Sequence, residues 1–201
     1  MARTQGFDRD VVVRAARTLF WRAGFEGASV PALEEATGLS RSSIYNTFGS
    51  KRGLFDAAVQ SYLDEVIRPR LRPLKADDVA PEAVLTYLDG LREAFTRADS
   101  MSATSGCLLI NTATAPVVHD GEVARVVADY RDELRVAIGR GVAAYLGPVA
   151  PEEQERLADA VTGLSIAAFA LVRITPAEAD RTLASARALL AAARDQVARA
   201  R

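Results

Sequence analysis

The segment GLSRSSIYNTFGSKRGLF, Gly38 to Phe55, constrains this chain more than any other. Gly38 ends one helix and Ser40 caps the next, because glycine accepts the left-handed backbone and serine offers an oxygen to the free amides of a new helix. Arg41, Ser42, Tyr45, Asn46 and Thr47 put small, polar and basic groups on one face of that helix. Ile44 and Phe48, four residues apart, share the opposite face. Gly49 and Ser50 repeat the stop and the cap, and a further helix begins. The pattern is that of the turn and second helix of a helix-turn-helix. A short helix, polar outward and anchored inward, is the shape that enters a DNA major groove.

The remaining sequence has helical periodicity almost throughout and no convincing alternating strand, so the fold class is all-α with about nine helices. Helix one spans 8–23, with Phe7, Val11, Ala15 and Leu19 recurring every four residues and Val12, Ala16 and Phe20 beside them. Helix two follows Ser29 and turns Val30, Leu33 and Ala36 inward; Pro31 is tolerated in its first turn. Helix four runs from Ser50 toward Arg68. Pro69, Pro73 and Pro81 mark a loop, and 99–105 marks another. Helices five to nine are expected over 82–97, 106–115, 120–145, 152–173 and from 176 onward.

Bulk properties narrow the partners. Net charge is −1, so the chain is no general polycation. Over residues 1–52, however, eight basic residues (Arg3 among them) oppose five acidic ones, which places an anionic partner at the N-terminal end. Cys107 is the single cysteine, so no internal disulfide is possible, in keeping with a reducing cytoplasm. The N-terminus lacks an apolar signal core, and the most apolar stretch, 161–172, is too short to span a membrane. A soluble cytoplasmic protein is expected.

The stretches AGFEGASV, ALEEATGLS, SRSSIYNTF and GSKRGLF, in that order and spacing, resemble the N-terminal region of the tetracycline-repressor (TetR) family over about residues 7–55. The resemblance implies a homodimer, nine or so helices per subunit, a ligand pocket in the larger domain, and repression relieved by a small molecule. It divides the chain into a three-helix DNA-binding domain, 1–49, and a helical ligand-binding and dimerisation domain, 50–201. Pro31, Ala32, Thr47 and Gly53 depart from the family pattern.

The expected DNA-binding set is Ser29, Ser40, Arg41, Ser42, Ser43, Tyr45, Asn46, Thr47 and Lys51. Arg41 is suited to guanine edges or phosphate. Lys51, at a helix N-terminus, is suited to phosphate, and Tyr45 likewise. A mostly apolar effector pocket between helices four and eight is expected to be lined by Tyr62, Leu88, Leu91, Phe95, Cys107, Asn111, Tyr130 and Phe169. Cys107 admits two readings. A lone cysteine on an apolar helix is a small hydrophobe. Yet Gly106-Cys107-Leu108 resembles a segment of a TetR subset that includes repressors sensing electrophiles and oxidants. Asn111 either caps a loop or meets a ligand.

The eighth helix is apolar nearly all round, so it needs cover on two sides. A second copy of the chain is the natural cover, with Leu164, Ala168, Leu171, Leu183, Leu189 and Leu190 at the two-fold interface. An enzyme or a helical adaptor is the alternative of another class. One histidine, one cysteine, and neither metal-ligand spacing nor a phosphate loop speak against an enzyme. No cofactor or metal is expected; the expected partners are double-stranded operator DNA, a mostly apolar small molecule and a second subunit.

Overall fold

The computed structural model describes residues 6–97 and 99–199; Arg3 lies outside them. The described residues contain helices and no strand. Three helices form the N-terminal unit: α1 (Arg9–Gly27), α2 (Val30–Thr37) and α3 (Arg41–Phe48). α4 (Lys51–Tyr62) packs along α1 and passes through a π-helical turn, Leu63–Ile67, into the one-turn α5 (Arg68–Leu71). The rest comprises α6 (Ala83–Thr96), α7 (Met101–Ser105), α8 (Leu108–Ala113), α9 (Gly121–Leu146), α10 (Pro151–Leu171) and α11 (Pro176–Arg199). α6, α9, α10 and α11 pack on one another around Leu88, Leu134, Ile138, Leu157, Val161, Leu183 and Leu190, all buried.

The first helix is held by aromatic packing. Phe55 of α4 meets Phe20 and Phe25 edge-on, with ring centres 5.1 and 5.2 Å apart. Burying a side chain of this kind contributes about 1.5–3 kcal/mol. The inward row is Val12, Ala16 and Phe20, joined by Val13; Val11, expected to face the core, is 56% exposed. One residue of rotation decides this, because Phe20 and Trp21 are the large groups that must be covered. Helical geometry breaks at Gly24 (φ 73°), where the sequence placed the stop, and resumes beyond this kink to Gly27. Ala36 of α2 is exposed rather than inward, leaving Leu33 as that helix's anchor.

Two expected loops contain helix. Pro69 sits at the start of α5, directly after the π-helical turn, and does not break the helical run. Ser100 caps α7 by accepting from the Ser102 amide at 3.2 Å. α8 is shorter than 106–115: Gly106 (φ 67°) lies outside it, and Cys107 is its extended N-cap residue. No helix of the described residues is long and apolar enough to cross a membrane.

Candidate nucleic-acid interface and effector cavities

Capping builds the presented helix. Ser29 accepts from the Ala32 amide, and Gly38 closes α2 in the left-handed region (φ 70°), which a side chain would strain. Ser40 accepts from the Ser43 amide at 3.3 Å and lies 2.9 and 3.0 Å from the Ser42 and Ser43 hydroxyls. Glu34 accepts from the Arg41 amide at 2.5 Å, so an acidic group steadies the N-terminus of α3. Leu33 and Ile44 anchor the two helices in the core, and Phe48 packs partly against it. Arg41, Ser42, Tyr45 and Asn46 are thereby exposed together; Ser43 and Thr47 are half-buried on the flanks. The Arg41 guanidinium lies over the Tyr45 ring, 5.5 Å from its centre.

Lys51 starts α4 beside this face, with its ammonium 4.5 Å from the centre of the Phe25 ring. Partial burial lowers its pKa, and the Glu26 carboxylate opposes that shift. Arg9 lies over the Phe48 ring at 5.1 Å, a placement the sequence did not signal. Ser29, Ser40, Arg41, Ser42, Ser43, Tyr45, Asn46, Thr47 and Lys51 thus occupy the two turns, α3 and the start of α4.

Three links join α1 and α4 to the segments between residues 106 and 122, and none was legible in the sequence. Arg52 of α4 pairs with Asp56, with Asp120 and, at 3.7 Å, with Glu122 at the start of α9. Glu26 accepts from the Val117 amide at 2.8 Å. The Trp21 indole donates to the Gly106 carbonyl at 3.1 Å. Beside the Arg52 cluster lies a cavity of about 210 Å³, lined by Phe55, Val59, Leu109 and Val123 with Arg52 and Glu122 at its charged side.

The predicted effector lining is largely packed interior. Tyr62, Leu88, Leu91, Phe95, Cys107, Tyr130 and Phe169 are all buried, and Phe95 meets Phe169 edge-on at 5.2 Å. The apolar stripe of α6 packs on α9 and α11 and, through Phe95, on α10. Of the eight residues, Leu91 lines a described cavity. Asn111 is half-buried and donates to the Ser105 carbonyl at 2.7 Å, so it ties down the α7–α8 turn. Lying outside α8, Cys107 does not share a helix face with it.

Cys107 instead joins a polar cluster. Its sulfur is 3.6 Å from the Tyr130 hydroxyl. Burial, and then the nearby thiol, push the Tyr62 hydroxyl well above its usual pKa, while the Arg70 charge pulls the other way. Burial and the same thiol raise Tyr130. Burial raises Tyr87 strongly, again against the pull of Arg70. Arg70 donates to the Ser102 hydroxyl at 3.2 Å. Arg70, Tyr87 and Ser102 were missed, since their spacing in sequence gives no sign that α5, α6 and α7 meet.

The expected dimer residues divide. Ala168, Leu183 and Leu190 are fully buried within one subunit and cannot also form an outer face. Leu164, Leu171 and Leu189 are half-buried and packed partly on the same core. The outward face of α10 carries the exposed Gly163 and Ala170, the half-buried Ala167 between them and, past its end, Ile174, which is 78% exposed; that of α11 carries the exposed Ala188 and Ala191 beside the half-buried Ala184.

A helix-turn-helix with an exposed polar helix, carried on a helical body, defines a class of DNA-associated regulators, and the comparisons specify which one. The pattern "Bacterial regulatory proteins, tetR family" matches residues 12–58. The chain is 32% identical over 142 residues to YezE of Bacillus subtilis, an uncharacterized HTH-type transcriptional regulator, covering 71% of this chain and 72% of YezE. It is 32% identical over 126 residues to the HTH-type transcriptional repressor ComR of Escherichia coli, covering 62% of this chain and 59% of ComR. The structure superposes on CifR, a TetR family regulator solved as a cysteine mutant with 26-base-pair operator DNA, with a TM-score of 0.78 and 30% identity over 94% of this chain and 99% of that one. This chain belongs to the TetR family of bacterial transcriptional regulators. The proteins it resembles are regulators, not enzymes.

Proposed function

We propose that the protein is a homodimeric repressor that binds a near-palindromic operator through α3 and is released by a small molecule. The observation that carries this reading is the joint exposure of Arg41, Ser42, Tyr45 and Asn46 on a helix anchored by Ile44. CifR, similar over nearly the whole chain, is solved on operator DNA. Residues 1–49 form the DNA-binding part and 50–201 the regulatory part. Ser29, Ser40, Ser43, Thr47 and Lys51 complete the DNA contact set. The protein works in the cytoplasm, where its operator lies. Two copies meet through the outward small residues of α10 and α11, whose lack of bulk suits close helix approach. Capturing genomic fragments on the purified protein, sequencing them and titrating salt tests this. A near-palindromic consensus and a steep salt slope are expected; uniform binding to all fragments, or none, overturns it.

A second reading, release by electrophiles or oxidants, is favoured by Cys107 lying among tyrosine hydroxyls rather than in a purely apolar shell. Thiol labelling of the native chain beside a urea-unfolded control tests it. Labelling in the native state, abolished in Cys107→Ser, supports a sensor; labelling after unfolding alone assigns Cys107 to the core.

A further inference from the structure

Most arginines of the regulatory part have a carboxylate: Arg68, Arg92, Arg135, Arg187 and Arg194 each pair with an acid. Arg70 is half-buried and has no acid partner among the described residues. Its Nη2 meets Ser102, and its Nη1 is buried without any hydrogen-bond partner. The hydroxyl of Tyr62, fully buried, likewise has none. Two donors in one cluster therefore lack an acceptor, a costly arrangement for a guanidinium above all.

Arg70 also lines a groove of about 220 Å³ between α5 and α6, with Pro69, Pro73, Ala83, Tyr87 and Leu91 around it. No acidic residue lines that groove, and its single charged group is positive. Its walls are mostly apolar. The guanidinium that lines the groove is tethered by a single hydrogen bond to a neutral hydroxyl.

We infer that this groove is a binding site for a small carboxylate with a short apolar body, its carboxylate held by Arg70 and its body against Pro69, Pro73, Ala83 and Leu91. A carboxylate supplies the acceptor that the Arg70 guanidinium lacks, and charge-assisted pairing to a guanidinium is the strong form of that bond. The inference rests on the ligand-released reading above and gives the expected, mostly apolar effector a carboxylate.

The test uses hexanoate and benzoate, with hexanamide and inorganic phosphate as controls, on the full chain. Trp21, the single tryptophan, packs edge-on to Tyr62 at 4.7 Å and reports binding by fluorescence; thermal unfolding reports it independently. One of the carboxylates should saturate and raise the melting temperature, with hexanamide and phosphate inactive over the same range. Arg70→Gln should weaken that carboxylate by at least about tenfold. Equal responses to hexanoate and hexanamide, phosphate binding as tightly as either carboxylate, no saturation by either carboxylate, or wild-type binding by Arg70→Gln would overturn the site. If Arg70→Gln does not fold, the matched acid and amide on the wild-type chain decide the matter. Release of captured genomic DNA is followed in parallel. A carboxylate that binds through Arg70 without changing DNA affinity keeps the site and sinks the effector reading. A neutral molecule that releases DNA from Arg70→Gln with wild-type potency keeps the effector reading and sinks the site.

Discussion

The Trp21 indole nitrogen donates a 3.1 Å hydrogen bond to the carbonyl oxygen of Gly106, eighty-five residues away and one residue before the buried Cys107. The same indole packs on Tyr62. A helix of the DNA-binding unit is thereby tied to the turn that positions the polar cluster. Trp21→Phe keeps an aromatic ring but leaves a buried carbonyl without its donor. It should destabilise the chain by about 1–3 kcal/mol. Urea unfolding followed by circular dichroism measures this; an unchanged midpoint would show that the bond carries no net stability.

Arg41 and Lys51 should fail differently. Arg41→Ala should cost about 1–3 kcal/mol at a preferred operator and relax specificity at one base pair. Lys51→Ala should weaken every sequence alike and flatten the salt slope by about one. Fluorescence anisotropy on captured and scrambled DNA separates the two. Equal loss on all sequences would make Arg41 a phosphate contact.

Gly53 permits the tight turn between α3 and α4. A Cβ there would stand 2.0 Å from the backbone oxygen of Phe48, which ends the presented helix. Gly53→Ala must push α3 away, and overpacking of this kind costs about 1–3 kcal/mol. DNA affinity should fall more than thermal stability, because the shift lands on the recognition helix. Full operator affinity in Gly53→Ala would refute the steric account.

Asp120 caps α9 and pairs with Arg52. The Arg52 hydrogen bond, followed by the Glu122 amide, holds its carboxyl below the usual pKa. A carboxylate depressed in the folded chain contributes fully above its unfolded value, about 3.9, and its contribution is lost as pH falls through the lower folded value. Asp120→Asn should therefore lower stability near neutrality and make the acid limb shallower below about pH 4. Melting temperatures across pH 2–7 read this out; curves that stay parallel at every pH would argue against the pairing.

Ala170→Glu should yield monomers, because it places a charge on the exposed outward face of α10 without disturbing the subunit core. Ala168→Glu should instead unfold the subunit, since Ala168 is fully buried. Light scattering and circular dichroism together distinguish the two. A dimeric Ala170→Glu would move the interface elsewhere.

Local chemistry made the DNA-facing region legible in sequence. Ser29, Gly38, Ser40, Gly49 and Ser50 act on amides and carbonyls within a few residues, so their roles can be read one turn at a time. The helical class followed from periodicity for the same reason. Periodicity leaves rotation open by one residue, which is why Val11 and Ala36 were placed inward and why Ala168, Leu183 and Leu190 were assigned to an outer surface. Tertiary structure alone decided which apolar stripes would satisfy each other, as where Phe95 meets Phe169. It also brought Arg70, Tyr87, Ser102 and Cys107 together from α5, α6, α7 and the turn before α8. Long-range packing depends on the summed shape of every helix, and no spacing within one segment encodes which distant donor will be buried without an acceptor.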